Sequence, residues 1–152
     1  MRRYVYVIFA VVVLLLVTMV VSKPRIEPSS VAEFGGVSLR IDYATTTATR
    51  ERGLGGRTSI PSDYGMLFVF AKSDFYGFWM KDTLVPLDMF WLDDKGQVVS
   101  IAEDVVPASY PHVFYPSTPA RYVLETVAGF ARAHGIATGT PLLLKNFPTV
   151  SE

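Results

Sequence analysis

The chain has 152 residues, a formal net charge of +0 and no cysteine. Once a targeting segment is set aside, that length suits one ordinary domain, large enough to bury a core without staples. Disulfides, thiol nucleophiles and cysteine-ligated zinc are excluded. The charge is uneven. Arg2, Arg3, Lys23 and Arg25 flank the first apolar run, whereas from Ser29 onward ten basic residues face thirteen acidic ones, near −3. A nucleic-acid binder carries a basic footprint, so no nucleic-acid partner is expected.

Tyr4 to Val21 contains no charge. As a helix it would span about 27 Å, close to the hydrocarbon thickness of a bilayer. Arg2 and Arg3 before it would hold the N-terminus in the cytoplasm and leave the rest outside. The length of the run favours a retained signal anchor over cleavage after Ser22, which would give a secreted protein. Residues 1–22 are thus read as anchor or signal peptide. Residues 23–30, with two prolines, are read as a linker, 31–147 as a β-rich globular domain and 148–152 as a tail.

Val37 to Ala44 alternates apolar and polar residues, the pattern of a half-buried strand. The threonine-rich stretch from Thr45 to Gly53 fits a short helix capped by one of its threonines. Met66–Phe70, Phe75–Met80 and Leu87–Leu92 are short aromatic-rich apolar runs and are read as strands. Asp93-Asp94-Lys95-Gly96 is a hairpin turn that returns into a strand over Gln97–Ala102. Four prolines between Pro107 and Pro119 demand a long irregular loop. A strand over Tyr122–Thr126 follows, then a helix capped by Thr126, running to His134 and ended by Gly135. Thr140–Leu144 is the last strand. The expected fold class is α+β, mostly β: a compact β-barrel-like domain with two short helices behind one N-terminal transmembrane or signal segment.

Several motifs then occur in order. They are Arg52-Gly53-Leu54 with Arg57, Gly65-Met66-Leu67-Phe68, Phe78-Trp79-Met80-Lys81-Asp82-Thr83, Pro86-Leu87-Asp88-Met89, Tyr115-Pro116-Ser117 and Ala120-Arg121-Tyr122-Val123-Leu124-Glu125. From about Val37 to Leu144 the chain resembles domain of unknown function 192, also called uncharacterised protein family 0127. The resemblance implies a compact β-barrel and a membrane-anchored or secreted setting, and it implies no activity. Two positions depart from the family's usual pattern. Leu54-Gly55-Gly56 replaces Leu-Met, and Asp82 stands where asparagine is common. The second change either alters ligand preference or keeps a turn, since both residues serve that purpose.

Charged groups within aromatic strand sequence are costly to bury unless paired. Arg57, Asp82, Thr83, Asp88, Tyr115, Ser117 and Arg121 sit at loops or strand ends of separate motifs and are the ligand-binding candidates. Arg57 or Arg121 would hold a carboxylate, phosphate or sugar hydroxyl. The plainer alternative is that these groups form internal salt bridges and turn caps. Arg121 and Glu125 share one strand face. Trp79, Trp91 and Phe78 are assigned to core packing, and only Tyr110 and Tyr115 are retained as stacking residues.

His112 and His134 lack metal-ligand spacing, and Asp93-Asp94 lacks a calcium-loop pattern, so neither a metal nor a cofactor is expected. A Ser117–His112–Asp88 triad has no nucleophile elbow behind it.

Three functions remain, in order. The first is an extracytoplasmic, membrane-anchored binding module for a small polar ligand or cell-envelope glycan. The second is an envelope hydrolase using Asp82 and Asp88. The third is a structural or partner-binding domain without a small ligand.

Overall fold

Runs of β-branched and aromatic residues with a period of two favour pleated strands that bury one or both faces. The computed structural model describes residues 30–150 and is built largely of such strands. In chain order they are β1 (Ser30–Phe34), β2 (Val37–Ala44), α1 (Thr47–Arg52), β3 (Tyr64–Asp74), β4 (Leu87–Leu92), β5 (Val98–Val105), a 3-10 turn (Pro107–Ser109), β6 (Ala120–Val127), α2 (Phe130–His134) and β7 (Leu142–Leu143). The apolar run from Tyr4 to Val21 lies outside the described residues. Among those residues no helix is long and apolar enough to cross a membrane.

The seven strands form one sheet in the order β5-β4-β6-β3-β2-β1-β7. Only β2 and β3 pair in parallel; the crossover between them runs through α1 and the glycine-rich turn after it. The sheet curls into a half-barrel. Its two ends are drawn together by the bridge Gln97↔Pro141 and by backbone bonds such as Gly139 N–H to Val98 O, 2.7 Å, and Leu142 N–H to Gly96 O, 2.9 Å. The barrel-like expectation therefore holds in this partly open form.

Side-chain alternation divides the interior into two cores. The first, including Phe34, Leu39, Leu67, Phe90, Leu124 and Leu142, lies within the curl and draws on every strand, with Phe130 and Ala131 of α2 closing one end. Phe147 and Val150 pack against it from the C-terminal segment. The second core covers the other face. There Met66, Phe68, Met89, Trp91 and Val123 meet Leu54, Phe78 and Met80 from the connecting segments.

Several elements differ from their sequence pattern. The N-terminal region was expected to begin as linker, yet Ser30 already starts β1. That strand turns into β2 through Gly35-Gly36, both at positive φ (61° and 79°), as a two-residue hairpin requires. Phe75–Met80, expected as a strand, leaves the sheet and crosses the second core instead. It is held by the Trp91 indole N–H donating to Tyr76 O, 2.8 Å, and by reciprocal 2.8 Å backbone bonds between Phe78 and Phe114. β3 takes up the preceding residues as far as Asp74. Thr126 caps nothing. It remains in β6, and α2 begins after Gly129. The helix near Thr45 forms as expected, with Thr46 and Thr49 making a reciprocal capping box.

Asp88 determines how α2 docks. Its side chain points into the first core at 0% exposure. One carboxylate oxygen accepts the Ala131 N–H and the other the Asp104 N–H, each at 2.8 Å. The second donor is available because β5 shifts register between the partners of Leu87 and Met89, and Asp104 takes a positive φ of 52° there. Arg132 of α2 then pairs with the Asp104 carboxylate. Replacing Asp88 with alanine should cost about 3 kcal/mol, and asparagine less because one acceptor survives. Urea unfolding checks this. A loss below about 0.5 kcal/mol would show that the carboxylate does not hold α2.

Candidate functional site

The second core is incompletely filled. α1 and the turn after it lie over one part of the sheet, and the segment from Phe75 to Thr83 lies over the next. Between them is a cavity of about 240 Å³. Phe68, Phe70, Tyr76, Phe78 and Trp79 supply its aromatic wall, while Arg50, Glu51, Arg52 and Lys81 bring charge to it. Glu125 of β6 also lines it.

Glu125 is the anomaly of the site. It lies on β6 between Met66 of β3 and Met89 of β4 and is only 5% exposed. Asp88 is satisfied by two N–H donors, but Glu125 has no hydrogen bond or ion pair among the described residues. Burial without compensation pushes its carboxyl up to about 8. At neutral pH it is mainly a protonated acid, able to donate one O–H and accept at its carbonyl. Gly53 is what leaves the space beside it open. A Cβ there would sit 3.2 Å from the Phe68 ring and 3.8 Å from Glu125 Oε2, and the backbone has a positive φ of 50°.

The cationic groups differ in their availability. Arg50 is occupied, donating to Thr45 O at 2.8 Å and Val69 O at 3.0 Å while stacking over Phe70. The Arg52 side chain has no such partner among the described residues. Lys81 has only the Trp79 ring, 6.0 Å from its Nζ. Trp79 is 48% exposed and tilts against Tyr110, with ring centroids 5.8 Å apart. It was assigned to the core from sequence; the structure sets it at the cavity.

The sequence candidates separate into groups. Thr83 lines the Glu125 cavity and donates its hydroxyl to Lys81 O at 3.2 Å. Arg57 lines a neighbouring cavity of about 220 Å³, which shares Arg52 and Gly53 with the first. There Arg57 stands 3.7 Å from Asp42 and lies over the Tyr64 ring, while the Tyr64 hydroxyl donates to Asp42 at 2.8 Å. Burial, with Asp42 accepting its proton, raises the Tyr64 phenol above its usual value.

Asp82 is exposed on the turn beside these cavities. Its backbone carbonyl accepts the Gly56 N–H at 2.8 Å, and its φ of 55° is a conformation that aspartate and asparagine tolerate better than most residues. That turn packs closely on Gly55, where a Cβ would lie 3.6 Å from Asp82 Cβ. The two departures from the family pattern, Gly55-Gly56 and Asp82, therefore meet in one contact.

The other four candidates lie elsewhere. Tyr115 is exposed, but its ring lies against Gly77, which lines the cavity. Ser117 bridges to β5 through Ser100 Oγ and Val99 O, both at 3.3 Å. Arg121 is half-buried over the Tyr122 ring, with its Nε unpaired. Asp88 faces the opposite core from the Asp82 turn, so the sheet stands between the two carboxylates. Among the described residues no group of three or more histidine, aspartate or glutamate side chains could hold a metal ion.

Glu125 carried a legible signal. It is an acid two residues from Val123, on the strand face that begins with Arg121. Arg52, Lys81 and Trp79 lie inside the motifs, but nothing local set them apart from the other polar and aromatic residues there.

The sign of the pH dependence follows from the raised carboxyl. The folded chain holds the Glu125 proton more tightly than the unfolded chain. Its contribution is fully present below about pH 4.5, declines between about 4.5 and 8, and is lost above about 8, where a buried charge remains. Stability from this group should fall by up to about 1.4 kcal/mol per pH unit in that window. Glu125→Gln should remove that component, visible as a flatter curve of urea midpoint against pH. Identical curves for both proteins would show that Glu125 does not titrate in this way.

The comparisons with known proteins agree with one another. A crystallised protein of unknown function from Novosphingobium aromaticivorans DSM 12444 is 31% identical, with a TM-score of 0.71 over 82% of this chain and 89% of its own. A Sinorhizobium meliloti 1021 protein, crystallised under the provisional description of a transcription regulator, is 34% identical, with a TM-score of 0.66 over 70% of this chain and 81% of its own. No curated protein matches. The family model described as Uncharacterized ACR, domain of unknown function 192, matches residues 30–144, and the chain belongs to that family.

Proposed function

We propose that this chain is a membrane-tethered binding module that takes a small polar ligand in the Glu125 cavity. The observation that carries this reading is an unpaired, buried carboxyl lining an aromatic-walled cavity. Such a group is costly to keep without a partner, and a ligand supplying hydrogen bonds would offset that cost. Exposed Trp79 and Tyr110 at the edge add a surface on which a ring can stack.

The alternative of an envelope hydrolase working through Asp82 and Asp88 has little support. Asp88 already accepts two backbone N–H groups, and the two carboxylates belong to opposite sides of the sheet. A DNA-binding role, which the description of the Sinorhizobium relative raises, finds no basic footprint from Ser29 onward.

The tether rests on the charge-free run from Tyr4 to Val21 behind Arg2 and Arg3, an order that directs the domain to the outer side of the membrane. Protease added to intact cells or right-side-out spheroplasts should then digest the domain, and protection in spheroplasts with digestion only after lysis would reverse the orientation. The binding site is tested by screening small polar metabolites against the backbone amide spectrum. Ligand-induced shifts should centre on Gly53, Gly77, Trp79 and Glu125. Shifts centred on Ser117 and Arg121 would move the site, and no shifts at all would favour a structural or partner-binding domain.

A further inference from the structure

The charges around the Glu125 cavity define the class of ligand more narrowly, and this step rests on the binding reading above. α1 presents Arg50, Glu51 and Arg52, the segment from Phe75 to Thr83 presents Lys81 and the Tyr76 phenol, and β6 presents Glu125. Tyr76 donates to Lys72 O at 3.0 Å, and Arg50 is committed to two backbone carbonyls. Arg52 and Lys81 remain without an anionic partner among the described residues. They outnumber Glu51, the one exposed acid that lines the cavity. The unpaired positive charge therefore comes from exposed side chains, whereas the Glu125 carboxyl is buried.

We propose that the ligand is a hydroxylated organic anion of about monosaccharide size, carrying a carboxylate or a phosphate. Arg52 and Lys81 hold its anionic group, Trp79 and its aromatic neighbours face its carbon skeleton, and the Glu125 carboxyl exchanges hydrogen bonds with one of its hydroxyls. A hydroxyl both donates and accepts, which matches a protonated carboxyl; an anionic group beside Glu125 would match only one of these roles. A cationic amine would meet two unpaired cations on its approach. The volume of about 240 Å³ suits one sugar-sized unit rather than a glycan chain.

The proton on Glu125 is then part of the binding equilibrium. Ionising that carboxyl places a negative charge in the cavity that holds the anion. Affinity should be greatest on the acidic side of pH 8 and weaken as pH rises through it.

The test uses the full chain in non-ionic detergent with four probes: glucuronate, glucose 6-phosphate, glucose and glucosamine. Titration calorimetry and backbone amide shifts report binding. At about pH 6, one or both anions should bind at least about tenfold more tightly than glucose and glucosamine. The two anionic probes distinguish carboxylate from phosphate. Arg52→Gln and Lys81→Gln, both at exposed positions, should each weaken anion binding about tenfold, with little effect on glucose. Raising the pH from about 7 to about 9 should weaken anion binding about tenfold in the native chain and leave Glu125→Gln unchanged. Preference for glucosamine or glucose, or affinity that rises through pH 8, would overturn the anionic class while leaving the cavity as a binding site. Absence of binding by all four probes, with the amides of Gly53, Trp79 and Glu125 unmoved, would overturn both.

Discussion

The carboxylate of Asp88 is the point on which the domain's assembly depends. A charge at 0% exposure within an apolar core is tolerable only when its oxygens are satisfied, and here two backbone N–H groups from different elements do so. Meeting that requirement sets the β5 bulge at Asp104, the position of α2, and the closing of one end of the curl by Phe130 and Ala131. The aromatic contacts of Phe34 with Phe90 and Phe130, at 5.1 and 6.0 Å between centroids, then form on a backbone already held in place.

With one face of the sheet closed by α2, the other is left to the connecting segments, and they cover it unevenly. Trp91 and Phe114 pin the Phe75–Met80 crossing from below and from one side. Gly55 and Gly56 let the Asp82 turn pack against the end of α1. Between these fixed lines, Gly53 brings no side chain, and the space above Glu125 stays open. Asp88 and Glu125 are thus a pair of opposites. Both are carboxyls on interior strands. The one with donors organises the fold, and the one without them lines a cavity and holds its proton to about 8.

The same contrast explains how far the site could be read from motifs. Every motif acid and arginine is a candidate when only chemistry and spacing are known. Asp88, after a proline and between Leu87 and Met89, looks like a site residue, yet its donors are a bulge on β5 and a helix 43 residues further along the chain. Glu125 carries a comparable signature, but what sets it apart from Asp88 is the absence of donors among the described residues. Absence of a partner is a property of the packed state, not of a residue type. Trp79 and Phe78 are neighbours in one apolar run, and only the crossing's departure from the sheet decides that Phe78 enters the core while Trp79 reaches solvent.

What the sequence determined by itself is local. Alternation placed β2 and an aromatic-rich apolar run placed β4, both residue for residue; threonines capped α1, Gly135 ended α2, and prolines kept 107–119 free of long elements. These features follow from side-chain period, backbone freedom and capping, all of which act within a few residues. Tertiary structure decided the rest. It set the half-barrel closure, the division into two cores, the placing of Asp82 and Asp88 on opposite sides, and the grouping of Glu125, Arg52, Lys81 and Trp79 around one cavity. Each depends on which strand lies beside which and which face a segment covers. Those choices are made by long-range burial and by hydrogen-bond donors that are distant along the chain, so no window of sequence contains them.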